Sequence, residues 1–136
     1  MAKLLNWVIS MRLFWKIIAV LFLSFALPAG AAGKFYTQQE FDILLAEGKT
    51  LVVHIHADWC GTCKAQDVQI NAAMNSAEFK DVIFFEVDYD TQRKHVKFFN
   101  GKLQSTIIIF KAGKEIDRVV AERDASELQA FLKKSL

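Results

Sequence analysis

The stretch "TLVVHIHA", Thr50 to Ala57, is β-branched and almost continuously apolar, and it runs directly into "DWCGTCK". A strand of that composition has no solvated face, so it belongs inside a parallel sheet covered on both sides. The only two cysteines of the chain, Cys60 and Cys63, fall where this strand hands over to the next element. From Cys60 to Asn75 the residues favour helix and no breaker comes after Gly61. The pattern therefore predicts Cys60 at the amino end of a helix.

The remaining elements fit around that junction. "TQQEFDILLAEG" opens on a capping box, Thr37 to Glu40, spaces Phe41, Leu44 and Leu45 as a helix does, and stops at Gly48. "VIFFEVDYD" reads as a second long strand and "TQRKHVKFFNG" as a helix closed by Asn100-Gly101. "STIIIFKAGKEIDRVVAE" is a hairpin with Ala112-Gly113 at its turn. Asp124 and Glu127 start a last amphipathic helix, "ELQAFLKKSL", with Leu128, Phe131 and Leu132 inward. Phe84, Phe85, Phe98, Phe99 and Phe110 are assigned to the core, and His95 to a solvated helix surface. The order α-β-α-β-α-β-β-α implies an α/β sandwich with a mixed central sheet.

The N-terminal segment is set apart from this pattern. It carries three positive charges (Lys3, Arg12, Lys16), no acid, and an apolar run from Ile17 to Leu27 before Pro28 and the small residues Ala29-Gly30-Ala31. That sequence of zones is a secretory signal, residues 1–32, with cleavage expected after Ala31 or Ala32. Met11 is a second plausible start, and an uncleaved anchor is the alternative. Against the anchor, the apolar run is shorter than the roughly 20 residues needed to span a bilayer. The leader contains no cysteine, which excludes a lipoprotein anchor. The domain from residue 33 to 136 is then expected to be periplasmic or otherwise extracytoplasmic, where disulfides persist. Without the leader the chain keeps 14 basic residues against 15 acids, so its charge gives no basis for binding nucleic acid.

A C-x-x-C at a strand-to-helix junction has a physical logic. Thiol exchange proceeds through the thiolate, and unpaired N–H groups and the helix dipole at an amino terminus favour that anion. Cys60 is thus the expected nucleophile. Cys63, one turn inward, can attack the mixed disulfide and release the substrate, its burial keeping it protonated until then. A structural staple is a weak alternative, because so short a loop closes little chain entropy. Structural zinc normally takes four ligands, and one C-x-x-C supplies two.

"ADWCGTCK" followed by a helix, then "VDYD", then "STIIIFKAGKEIDR" resembles the thioredoxin family, whose common forms carry W-C-G-P-C-K and a later P-T-x-x-x-F-x-x-G. The resemblance covers nearly all of residues 34 to 136. It implies a thioredoxin-like fold and a protein thiol-disulfide oxidoreductase with no cofactor beyond the Cys60-Cys63 disulfide. It also implies a substrate-binding surface formed by Trp59, Gly61, Thr62, Ser105 and Thr106. "ADWC" and "VDYDTQ" are similar to periplasmic thioredoxin-like proteins and to the reducing domain of DsbD-type transporters. A reductase there would draw electrons from a DsbD- or CcdA-like membrane partner.

Three positions depart from the family pattern. Thr62 stands where reducing thioredoxins have proline, which leaves the redox direction open. Ser105 takes the place of the family's cis-proline; a non-proline cis bond costs roughly 2.5–4 kcal/mol, so a trans Gln104-Ser105 bond is expected, with the Ser105 hydroxyl and backbone N–H near the sulfurs. His54 stands where the family has a buried aspartate and Glu86 where it has a lysine. The resemblance then suggests His54, held by Glu86, as the base for Cys63. His56 shares the strand face of His54. The two histidines with the two thiolates form the alternative reading, a soft site for Cu(I) or a shared Fe–S cluster.

Overall fold

The computed structural model describes residues 33–136; the expected leader and the cleavage expected after Ala31 or Ala32 lie outside them. Five strands, β1 (Lys34–Phe35), β2 (Thr50–His56), β3 (Val82–Asp88), β4 (Thr106–Lys111) and β5 (Lys114–Val120), form one sheet in the order β1-β3-β2-β4-β5. The first three are parallel to one another, whereas β4 runs antiparallel to β2 and β5 antiparallel to β4, so the sheet is mixed. The two-residue β1 and a short 3-10 turn, Ala77–Phe79, carry too little periodicity for the sequence pattern to show them.

Four helices cover the sheet: α1 (Gln38–Ala46), α2 (Gly61–Met74), α3 (Arg93–Phe98) and α4 (Ala125–Lys133). Their ends are set by local chemistry. The Thr37 hydroxyl accepts the Glu40 N–H at the start of α1, and Gly48 takes φ +71° just past its end. Asp124 accepts the N–H groups of Ser126 and Glu127 at the start of α4. The β4–β5 hairpin turns on Ala112 and Gly113, both at positive φ, as a tight two-residue hairpin loop requires.

Strand β2 is central to the packing. Leu51, Val53 and Ile55 face a core shared with Tyr36, Phe41, Phe85, Val96 and Phe99, while Val52 faces a second core built from Ile70, Ile107, Ile109, Leu128 and Phe131. The period-two alternation of a strand puts His54 and His56 on the Val52 face, under α2. Two burial assignments, Phe98 to the core and His95 to the surface, are corrected. Phe98 is 54% exposed, because the six-residue α3 turns only Val96 inward with Phe99 behind it. His95 is half-buried with its ring 5.0 Å from that of Tyr36 and its Nδ1 buried without a partner, rather than solvated.

Candidate active site

Cys60 ends the turn that leaves β2, its N–H donating to Ala57 at 2.9 Å, and it is the N-cap of α2. Its backbone is extended, so its side chain bends over the open end of the helix and its Sγ accepts the Cys63 N–H at 3.1 Å. The cap position that elsewhere takes a serine or aspartate oxygen is here taken by sulfur. Both cysteines are free thiols, packed with Ala57 and against Tyr89.

The surroundings separate the two thiols. Burial pushes the Cys60 thiol up, but hydrogen bonds from the Cys63 and Ser105 side chains and from the Cys63 and Thr62 backbone outweigh it and hold Cys60 below the ordinary thiol value. Cys63 lies wholly inside, and burial together with the neighbouring Cys60 sulfur raises it to about 11. Of the two sulfurs, the outer one is therefore the more readily ionised.

Ser105 lies opposite the pair. Its peptide bond is trans, and its φ is +61°. Its Oγ sits 3.0 Å from Cys60 Sγ and 3.3 Å from Cys63 Sγ. The hydroxyl is where the sequence pattern predicts it; the backbone N–H is not, since it donates to the Ile55 carbonyl at 2.8 Å. The Ser105 carbonyl accepts the Ala121 N–H at 2.9 Å and Gln66 Nε2 at 3.1 Å.

The histidines are arranged differently from the expectation. His54 and Glu86 are register partners on β2 and β3, yet no hydrogen bond or ion pair joins them among the described residues. Instead His54 Nε2 meets Gln66 Oε1 at 2.9 Å and its Nδ1 faces Asp67 Oδ1 at 3.4 Å. Gln66 Nε2 donates to the carbonyls of Ser105 and Glu122, which fixes the amide orientation and makes His54 Nε2 the donor to Oε1. Both ring nitrogens are thereby engaged away from Cys63, and the geometry gives His54 no lone pair aimed at that thiol. The polar side-chain oxygen within reach of Cys63 Sγ is Ser105 Oγ.

His56 Nε2 meets Asp67 Oδ2 at 3.1 Å, so a single carboxylate bridges both histidines. Burial raises Asp67, but the hydrogen bond and charge of His54 and then of His56 more than offset it, leaving its carboxyl below the usual value. The rings thus point at α2 rather than at the sulfurs. Among the described residues no group of three or more His, Cys, Asp or Glu forms a metal-holding cluster. No motif in the sequence singles out Gln66 and Asp67; their signal is position, one turn beyond Cys63 on the same helix face.

The outer rim is open. Trp59 is 62% exposed, with its indole N–H donating to Asp90 at 2.7 Å. Gly61 is exposed and Thr62 half-buried, while Asp58 and Lys64 are solvated. Thr106 departs from the expectation: it is buried, and its hydroxyl donates to the Leu103 carbonyl, so it closes its own loop instead of facing a ligand.

Comparison with known proteins agrees with this geometry. The Thioredoxin family model matches residues 33–134. Thioredoxin H2 of Arabidopsis thaliana is 35% identical over 91 residues, 66% of this chain and 67% of that protein. Thioredoxin-1 of Saccharomyces cerevisiae is 32% identical over 98 residues, 72% of this chain and 93% of that one. Among solved structures, Trxlp from Edwardsiella tarda EIB202 superposes with a TM-score of 0.71 at 31% identity, covering 74% of this chain and 98% of that chain. With a dithiol at the end of a buried strand, one thiol held low and the other high, and a sequence match across nearly the whole described domain, this chain belongs to the thioredoxin family of thiol-disulfide oxidoreductases.

Proposed function

We propose that this protein is an exported reductase of protein disulfides, with Cys60 as the attacking thiol and Cys63 as the resolving thiol. The observation that carries the reading is the asymmetry of the pair: the N-cap sulfur of α2 accepts the Cys63 N–H at 3.1 Å and is held low, one turn from a buried thiol raised to about 11. In the reaction the Cys60 thiolate forms a mixed disulfide and Cys63 resolves it, releasing the reduced substrate and leaving Cys60-Cys63 oxidised. Ser105 and the Thr62 backbone lie against the Cys60 sulfur, and with Trp59 and Gly61, its neighbours in the chain, they would contact the substrate chain.

Export is supported by the charge and hydropathy zoning of residues 1–32, which precede the span matched by the family model. Outside the cytoplasm the oxidised pair would be re-reduced by a DsbD- or CcdA-like membrane donor. The activity is tested by insulin reduction with dithiothreitol: the wild type turns over, Cys60→Ser abolishes turnover, and Cys63→Ser accumulates a mixed disulfide. The direction is tested by equilibrating the couple in defined thiol buffers. A potential near about −270 mV, thioredoxin's range, supports a reductase, and one near about −120 mV makes the protein a disulfide donor instead. Export is tested by fractionating cells expressing the full chain; a product confined to the cytoplasm at full length overturns it.

A further inference from the structure

Ser105 occupies a backbone region that glycine enters freely and other residues enter at a cost. Its φ of +61° is held by three hydrogen bonds to its backbone: its N–H donates to Ile55, and its carbonyl accepts from Ala121 and from Gln66. Ala121, across the sheet end from it, is also at positive φ, +58°. Gln66 is 0% exposed, and its amide ties together the Ser105 carbonyl, the Glu122 carbonyl and His54. The product of this bracing is a buried hydroxyl 3.0 Å from one sulfur and 3.3 Å from the other. The titratable groups on the neighbouring elements, His54 and His56 on β2 and Asp67 on α2, are engaged with one another.

A serine hydroxyl has one hydrogen to donate, and both sulfurs compete for it. We propose that the Ser105 hydroxyl is a charge-following donor that serves the Cys60 thiolate before attack and the Cys63 thiolate during resolution, and that Gln66, touching neither sulfur, is the positioning residue that holds it between them. The proposal rests on the assignment of Cys60 as attacking thiol and Cys63 as resolving thiol. In the first step the Cys60 sulfur bonds to one substrate sulfur, the substrate disulfide breaks, and its electron pair leaves on the second substrate sulfur. Cys60 is then neutral and a weak acceptor, so the hydroxyl turns to Cys63. In the second step Cys63 gives its proton to the departed substrate thiolate and, as thiolate, bonds to Cys60 Sγ; the bond from Cys60 to substrate breaks with its electron pair on the substrate sulfur, which takes a proton from solvent. Two electrons pass to the substrate, and the pair ends as a disulfide.

The test uses Ser105→Ala, which removes only the hydroxyl, beside Ser105→Gly, which accepts the positive φ but loses the whole side chain, and Gln66→Met, which keeps the buried volume and removes the amide. Two quantities are read in the metal-free protein: the ionisation of Cys60 from thiolate ultraviolet absorbance, and the single-turnover rate of mixed-disulfide resolution with a small disulfide probe. Losing a charge-assisted hydrogen bond should move the half-ionisation pH of Cys60 up by about 1 and slow resolution about tenfold in Ser105→Ala and Ser105→Gly. Gln66→Met should move both in the same direction by a smaller amount. A shift in Cys60 ionisation with an unchanged resolution rate overturns the charge-following role, and wild-type values of both overturn any role of the hydroxyl. Wild-type behaviour of Gln66→Met overturns the positioning role. Failure of the underlying assignment looks different: Cys63→Ser would then accumulate no mixed disulfide at Cys60, whatever the Ser105 variants do.

Discussion

Cys60 and Cys63 carry the same chemical group within one turn of a helix start, yet their surroundings place them on opposite sides of the ordinary thiol value. Because Cys60 is held low, its alkylation by iodoacetamide should rise with pH to a half-maximum below about 8.5, and at neutral pH it should label at least about tenfold faster than Cys63. Equal labelling of the two, mapped by peptide mass, would remove the asymmetry on which the mechanism stands. Asp67 makes a second residue-scale prediction. Its carboxyl is depressed in the folded protein, so its contribution to stability is fully present above the unfolded value of about 3.9 and is lost as pH falls through the lower folded value. Asp67→Asn should therefore cost about 1 kcal/mol at neutral pH, and urea midpoints of variant and parent should converge in acid below that window. A constant gap across pH would mean that the bridge between His54 and His56 is not what Asp67 contributes.

At the scale of elements, the helix starts and the junctions between elements do most of the positioning. The α4 cap rests on one aspartate that accepts two N–H groups, so Asp124→Ala should lower the midpoint of urea titrations. Gly101 is a different kind of constraint: a Cβ there would collide with Ile55 Cδ1 and press on Val96, where the chain leaves α3 towards Ser105. Gly101→Ala should cost about 1–3 kcal/mol, and because Ile55 also carries the carbonyl that binds Ser105 N–H, it should slow thiol exchange as well. Loss of stability with full activity would show that the Ser105 loop is held independently of this contact. The side-chain N-caps Thr37 and Asp124, the Gly48 stop and the hairpin turn were legible in the sequence because each is set by residues within a few positions of one another, although the return bonds of full capping boxes do not form: Glu40 pairs with Lys34, and the Asp124 N–H donates to Glu122. The exposure of Phe98 was not, since a six-residue helix has too few turns to define an apolar face by periodicity.

For the molecule as a whole, the described domain has its own two cores and its own complete sheet, and residues 33–136 expressed alone should fold cooperatively with the thermal midpoint of the full chain. A lower midpoint for the fragment would assign the first 32 residues a part in stability. The sequence by itself determined the fold class, the order of the long elements, the thiol chemistry and the place of the cysteines at the end of a buried strand. Those features are written in local patterns: period two, period 3.6, a cap, a turn and a spaced pair. Only the tertiary structure decided the partners of the buried polar groups. The resemblance paired His54 with Glu86, and the two are register partners, but α2 lies over that face and brings Gln66 and Asp67 within hydrogen-bond reach, so the histidines bind the helix instead. Likewise Ser105, 45 residues from Cys60, meets both sulfurs through the meeting of β2, β4 and α2. Side-chain direction and the competition of a buried donor for the nearest acceptor arise only once the layers have packed, and no pattern along the chain encodes them.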